Sequence, residues 1–276
     1  MSLTESTMFN NKVFVVTGGT QGLGAAVAQL LAKRGARGLV ICGRNTRAGQ
    51  QQVEALSRSG CEAIFVEADI SSPAACEKVV ATAESCFGTL HGLVNCAGMS
   101  DRGTILDTSP DLFDAIMAVN VRAPFFLMQA AIKLMIAKGV EGSIVNIITM
   151  TSHGGQSFLT AYAASKGALV TLTKNVAFSA MRNRIRVNGL NIGWMDTPHE
   201  DDIQRQYHQA EDGWLEKAEQ QQPFCRLLKP TEVARGVAFL LSEESGMMTG
   251  AVIDFDQSVV GCGDNGGFQP SHALTL

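Results

Sequence analysis

The chain has 276 residues, enough to bury a core of ordinary density as one domain spanning 1–276. Twenty-two Lys and Arg against 26 Asp and Glu give a formal net charge of −4, without the clustered cations that a nucleic-acid surface needs. No run reaches the roughly 18 uninterrupted apolar residues of a membrane span, since the densest, 123–137, is broken by Gln129 and Lys133.

Residues 1–11 are polar and lack the basic-then-apolar order of a signal peptide. The seven cysteines include no C-x-x-C pair, and Cys42 and Cys96 fall in apolar runs. That pattern reads as reduced, buried thiols of a cytoplasmic protein, with neither a disulfide frame nor a metal site.

Residues 12–17 are rich in β-branched side chains, the mark of a strand buried on both faces. A glycine-rich turn follows, Gly18-Gly19-Thr20-Gln21-Gly22-Leu23-Gly24, and then helical periodicity from 25 to 34 ended by Gly35. Strand, glycine turn and helix are the first half of a βαβ unit. The bare turn lets a pyrophosphate approach the backbone and meet a helix N-terminus. A second strand, 38–42, ends at Gly43-Arg44-Asn45. A ribose-binding carboxylate for NAD belongs about 20 residues past the turn. Arg44 stands there instead, and its fork of donors suits a 2′-phosphate. The cofactor expected is therefore NADP(H), with NAD(H) possible.

Residues 48–59 read as a helix, 62–68 as a strand with Asp69-Ile70 at its carboxyl end, and 73–87 as a helix. A fourth strand, 90–95, runs into Asn95-Cys96-Ala97-Gly98. This alternation predicts an α/β fold with a doubly wound, Rossmann-type parallel sheet of about seven strands and helices on both faces. Asp69 and Asn95 then fall where ligands sit, at the carboxyl ends of strands. Residues 111–138 are helical, with a kink or break predicted by Pro124. Strand 143–148 leads through Thr149-Met150-Thr151-Ser152-His153 to a helix opening at Thr160 or Ala161 and running to about Met181. Tyr162 and Lys166, four residues apart, share one face of it. An ammonium there favours the ionised phenol and would tune Tyr162 for proton exchange near neutral pH. Strand 185–190 follows. The segment 198–228, charged and glutamine-rich, reads as a helical substrate lid. A helix at 231–241, a strand at 251–255 and a loosely ordered tail at 261–276 complete the chain.

These motifs in this order resemble the short-chain dehydrogenase/reductase family over about 12–256. Residues 17–24 match T-G-x-x-x-G-x-G, 95–98 match N-N-A-G with cysteine in second place, Asn120 matches the helix asparagine, and Tyr162 with Lys166 match Y-x-x-x-K. The resemblance implies a hydride transfer between C4 of the nicotinamide and a carbonyl or carbinol carbon. It makes Tyr162 the general acid/base and gives Lys166 two tasks, lowering the tyrosine pKa and holding the nicotinamide ribose. It gives Asn120 a relay water behind Lys166. The cofactor site would comprise Gly18, Thr20, Gln21, Gly22, Leu23, Gly24, Arg44, Asn45, Asp69, Ile70, Asn95, Ala97, Gly98, Tyr162, Lys166, Ile192, Gly193 and Thr197. The family's catalytic serine, 13 residues before the tyrosine, is Thr149 here. Its hydroxyl can still donate to a substrate oxygen, and Ser152 takes that role if the loop is shifted by a turn. Ile192-Gly193 replaces the family's Pro-Gly, and Phe255-Asp256-Gln257-Ser258 replaces V-D-G-G.

The resemblance also implies a small-molecule substrate and a homo-oligomer, tetramer or dimer. An apolar face at Phe125, Phe126, Met128, Leu169, Leu172 and Val176 is compatible with the latter. Substrate contacts would come from Thr149, Thr151, His153, Gln156 and Trp194, with Met99, Ser100, Asp101, Met195, Asp196 and His199 nearby. This polar set favours a sugar or polyol over a long acyl chain. A 3-oxoacyl or other carbonyl reductase, and a cofactor-binding relative with impaired catalysis, are the alternatives.

Overall fold

The computed structural model describes residues 7–262. Its strands are β1 (Val13–Thr17), β2 (Gly38–Gly43), β3 (Glu62–Glu67), β4 (Gly92–Asn95), β5 (Ser143–Thr149), β6 (Arg186–Ile192) and β7 (Val252–Phe255). They pair in the order β3-β2-β1-β4-β5-β6-β7, all parallel. The helices are α1 (Gly22–Lys33), α2 (Thr46–Ser57), α3 (Pro73–Phe87), α4 (Pro110–Met117), α5 (Ala123–Ala137), α6 (Thr160–Ala180), α7 (Pro198–His208), α8 (Trp214–Gln220) and α9 (Pro230–Leu241). The tail at 261–276 lies almost wholly outside the described residues.

β1, β4 and β5 are buried throughout, which is why their apolar runs lack the alternation of a one-sided sheet. Val16, Ile41, Val94 and Val145 pack on one face with Leu31 of α1, Leu56 of α2 and Val237 of α9. Val15, Val40 and Leu93 pack on the other with Val79 of α3, Leu127 and Met135 of α5 and Ala177 of α6. Each such aliphatic side chain contributes about 1.5–3 kcal/mol by leaving water. The strand order reverses between β1 and β4, so the crevice for a ligand opens above their carboxyl ends, at Gly18 and Cys96.

The sequence places a break in the 111–138 helix at Pro124. The structure puts it earlier, as a π-helical turn over Ala118–Arg122 between α4 and α5. Pro124 has no N–H for the carbonyl four residues back, which is that of Asn120, and the helical ladder opens over that turn. The run Pro110–Ala137 is long and apolar enough by composition to cross a membrane, but Leu127, Met128, Ala131 and Met135 are packed in the core. Met128 and Leu169 are each 1% exposed. They belong to the interior, not to the outward apolar face assigned to them, and of that set Phe125 alone is largely exposed.

Below the sheet, His91 joins three strands. Its Nδ1 accepts from the Val13 N–H at 3.0 Å, its N–H donates to the Val13 carbonyl, and its carbonyl accepts from Ser143. Burial, aided by the charges of Lys12 and Arg37, pulls the imidazole down to about 4. Unfolded histidine takes its proton near 6.5, so the unfolded chain binds more protons between those values and stability falls as pH drops through that window. Thermal unfolding from pH 7 to 4.5 should show that loss. His91→Asn, which keeps an acceptor but does not titrate, should flatten the decline.

Candidate active site

β1 delivers the chain into Gly18 at φ 64°, a backbone region that other residues enter at a cost of about 1–2 kcal/mol. A Cβ on Gly18 would stand 3.0 Å from the Ala97 Cα, and one on Gly24 would stand 2.2 Å from the Gly18 carbonyl oxygen. The turn closes because both positions are bare. α1 opens at Gly22 with no side-chain cap from Gln21 and no acid in its first turn, so its first N–H groups are available to an anion. Leu23 is buried and anchors α1, while Thr20 packs against Gly43 at the end of β2. One residue not assigned a role from sequence ties this floor together. The Thr17 Oγ1 accepts from the Cys96 and Ala97 N–H groups at 3.0 and 3.1 Å.

A cleft of about 840 Å³ opens between the ends of β2 and β3 and the α4–α5 junction, its lining including Arg44, Asp69, Ser71, Met99, Val121 and Arg122. Arg44 is exposed. Asp69 accepts from the Ser71 N–H at 3.0 Å, and that bond, with a lesser contribution from Arg44, holds its carboxyl below the usual range. Ile70 is buried. Two residues of the expected cofactor set use their side chains within the protein. The Asn45 side chain caps α2 by accepting from the Ala48 N–H. The Asn95 side chain points into the protein and donates to Asn146 Oδ1 at 2.8 Å, while Asn146 donates to Thr173 Oγ1 at 2.9 Å. This buried polar rung joins β4, β5 and α6 and leaves Asn95 Oδ1 without a partner among the described residues.

Tyr162 and Lys166 meet on α6 as their spacing requires. The ammonium, however, stands 5.8 Å from the centre of the Tyr162 ring and donates to the Ile147 carbonyl at 2.9 Å. It lies over the ring instead of at the hydroxyl, and burial pulls it down to about 8. Burial pushes the Tyr162 hydroxyl up to about 12, opposed by a hydrogen bond from Thr149 and the charge of Arg102. The expected lowering of the Tyr162 pKa by Lys166 is therefore not what this geometry provides. One helical turn of separation along α6 brings the lysine head only to the near face of the ring. Gly98 approaches both groups of the floor, since a Cβ there would lie 3.6 Å from Lys166 Nζ and 3.5 Å from Asn120 Oδ1.

Asn120 is wholly buried. Its Oδ1 accepts from the Met99 N–H at 2.9 Å, and its Nδ2 donates to the Met99 carbonyl at 2.8 Å and to Ser165 Oγ at 3.0 Å. The side chain is thus committed to the 97–99 loop and α6, close to where Lys166 passes Gly98.

Thr149 ends β5, and its Oγ1 also accepts from Thr151 N and stands 3.5 Å from Thr151 Oγ1. Ser152 is no substitute, because its hydroxyl donates to Asn191 Oδ1 at 3.1 Å. The His153 imidazole is held through Nε2 by Asp254 at 3.0 Å and Asn191 at 3.1 Å. Gln156 and His199 are exposed. Asp196 is ion-paired to Lys229 at 2.8 Å.

On the far wall, Trp194 stacks on Trp214 at 6.2 Å and donates to Glu200 Oε1 at 2.8 Å. Met195 makes a parallel bridge to Leu228. Ile192 is half-buried, and a Cβ on Gly193 would fall on the Asp256 carboxylate. Thr197 caps α7 by accepting from Glu200 N at 3.1 Å, and its methyl faces Gly22 across the cleft. Among the described residues no three His, Cys, Asp or Glu side chains are grouped as metal ligands would be.

A family model described as enoyl-(acyl carrier protein) reductase matches residues 18–258. A solved short chain dehydrogenase/reductase family protein is 33% identical and superposes with a TM-score of 0.78, covering 91% of this chain and 97% of its own. The chain belongs to the short-chain dehydrogenase/reductase family. A solved NAD+-bound xylitol dehydrogenase is 28% identical with a TM-score of 0.82, covering 89% of this chain and 98% of its own. An NADP-dependent (R)-specific alcohol dehydrogenase of Lentilactobacillus kefiri is 32% identical over 243 residues, 87% of this chain and 93% of that protein. This short-chain dehydrogenase/reductase is therefore an oxidoreductase of a family that uses NAD(P) and acts on small molecules.

The bare cradle of Gly18 and Gly24, the unclaimed N–H groups of α1 and the cleft at the ends of β2 and β3 fit such a dinucleotide. Gly18→Ala should weaken NADPH binding at least tenfold in a fluorescence titration and lower the melting temperature, with the folded circular dichroism spectrum retained.

Proposed function

We propose that this enzyme is NADP(H)-dependent and interconverts a carbonyl and a secondary alcohol on a small polyhydroxylated substrate. The observation that carries the reading is the meeting of Tyr162 and Lys166 on one face of α6, the ammonium 5.8 Å from the ring centre and bonded to the Ile147 carbonyl of β5, with Thr149 at the carboxyl end of that strand. Two hydroxyls converging on one point can hold a single substrate oxygen. The names of an alcohol dehydrogenase and a xylitol dehydrogenase among its relatives support the substrate class.

In the bound state the nicotinamide supplies or accepts the hydride. The 18–24 turn would hold its pyrophosphate, Asp69 and Ile70 its adenine end, Thr197 its amide and Lys166 its ribose. Arg44, with no carboxylate in its place, would meet the 2′-phosphate. The chain's own part is proton chemistry. A tyrosine held near 12 is protonated at neutral pH. It can donate to the oxygen of a carbonyl as that carbon is reduced, and must lose its proton before it can serve the reverse reaction. Thr149 orients the oxygen, and its methyl narrows the pocket beside it. The helices at 198–220 form the lid over this point. Cys42, Cys61 and Cys76 are buried as expected and Cys96 is half-buried, but Cys86, Cys225 and Cys262 are exposed; all seven are free, which agrees with a reducing, cytoplasmic setting. Exposed Phe125 and Phe178 support self-association.

The test is an assay of NADPH and NADH oxidation over ketoses, simple ketones and 3-oxoacyl esters. Tyr162→Phe should lower kcat by about 10²–10⁴ while NADPH still binds. Normal turnover by that variant would refute the assignment. Arg44→Ala should remove the preference for NADPH over NADH by roughly tenfold or more, the worth of a charge-assisted phosphate contact. A preference that survives would place 2′-phosphate recognition elsewhere.

A further inference from the structure

The loop after β4 carries a cation that the proposed chemistry does not use. Residues 102–104 run beside the segment that opens α6. The Gly103 N–H donates to the Phe158 carbonyl at 2.9 Å, Thr160 N donates to the Gly103 carbonyl at 3.3 Å, and Gly103 bridges Leu159 in parallel. Arg102 is thereby fixed close to Tyr162. Its guanidinium lies 5.8 Å from the centre of the Phe158 ring, and Nη1 donates to the Ser100 carbonyl at 2.7 Å.

Across the mouth, His208 of α7 meets the same Phe158 ring edge-on at 5.1 Å, and Tyr207 donates to Asp101 at 2.9 Å. The charge of Arg102 is felt at Tyr162, Tyr207 and His208.

The acids Asp101 and Glu200 make their hydrogen bonds to neutral side chains and not to Arg102. Asp101 holds Tyr207, and Glu200 accepts from Trp194 and Gln204 at 2.8 and 2.7 Å. Among the described residues Arg102 enters no ion pair, and its Nε is buried with no hydrogen-bond partner. A guanidinium that is partly desolvated, held on an aromatic face, hydrogen-bonded only at Nη1 and paired directly with no carboxylate has donors left for an anion. Its planar fork matches the paired oxygens of a carboxylate or phosphate.

We propose that Arg102 selects a substrate bearing an oxyanion, a sugar acid or sugar phosphate in preference to a neutral polyol, by pairing with that anion while Tyr162 holds the reacting oxygen. This inference rests on the oxidoreductase reading above. It requires the anion to lie beyond the reacting carbon on the side of the 99–104 loop.

NADPH oxidation by the full chain with two matched pairs tests it: 5-ketogluconate against fructose, and dihydroxyacetone phosphate against dihydroxyacetone. The anionic member of at least one pair should have a kcat/KM at least about tenfold higher. Which pair shows it distinguishes carboxylate from phosphate. Arg102→Met, which keeps a stem on Phe158 but removes the charge, should bring the ratio towards one mainly through KM, and Arg102→Lys should restore part of it. Equal use of both members of each pair by the unaltered protein, or a ratio that survives Arg102→Met, overturns the proposal. If no ketone is turned over, the catalytic reading fails and calorimetry decides the anion site. Gluconate or glycerol 3-phosphate bound more tightly than sorbitol or glycerol, and lost in Arg102→Met, upholds it. Equal affinity for charged and neutral members overturns it.

Discussion

The buried amide of Asn120 is the contact on which the site depends. It grips the backbone of Met99 from both sides and holds Ser165 on α6, so the strand exit that floors the crevice and the helix that carries Tyr162 move as one body. Each bond contributes about 1 kcal/mol net, but an orphaned partner in that interior would lose about 1–3 kcal/mol. The π-helical turn at Ala118–Arg122 is what presents this side chain inward. Pro124 accounts for the opened ladder, and the local irregularity is therefore part of how the site is assembled.

From that clamp the electrostatics follow. Gly98 leaves room for the Lys166 ammonium to pass beneath the loop to the Ile147 carbonyl. In that position the lysine is desolvated and its charge is spent on a carbonyl and a ring face, leaving the phenol tied to Thr149. The threonine in place of serine is consistent with this arrangement: its hydroxyl keeps the contact to Tyr162 while its backbone closes β5 against Ile192 of β6. The nearest unspent charge is Arg102, which the same loop delivers to the mouth of the cleft.

The far wall is built differently, from polar side chains that restrain one another. Glu200 holds Trp194 and Gln204, Asp201 holds Trp214 and Arg205, and Lys229 joins Asp196 to Glu219. These contacts are half-exposed, where an ion pair adds only about 0–1 kcal/mol. α7 and α8 are thus attached by many weak links over a crevice whose floor is packed into the core, an arrangement suited to a cover that moves over a rigid base.

Sequence by itself determined the parallel sheet, the glycine turn, the Tyr162–Lys166 pair and the alternation of strands and helices. Each of these rests on short-range rules: β-branched runs for strands buried on both faces, bare residues where a turn must close, and a helical turn between partners. Thr149 was placed opposite the tyrosine by the family resemblance, not by such rules. Sequence could not say where side chains far apart in the chain would spend their hydrogen bonds. Asn95 and His153 were legible as polar residues at strand ends, but not their bonds to Asn146 and Asp254, from strands brought near only in the folded sheet. The Thr17 contacts, the Asn120 clamp and the position of Arg102 beside α6 join residues 21 to 80 positions apart. Which of two chemically equal groups faces the substrate is decided by competition among such long-range partners, and only the tertiary structure brings those partners together.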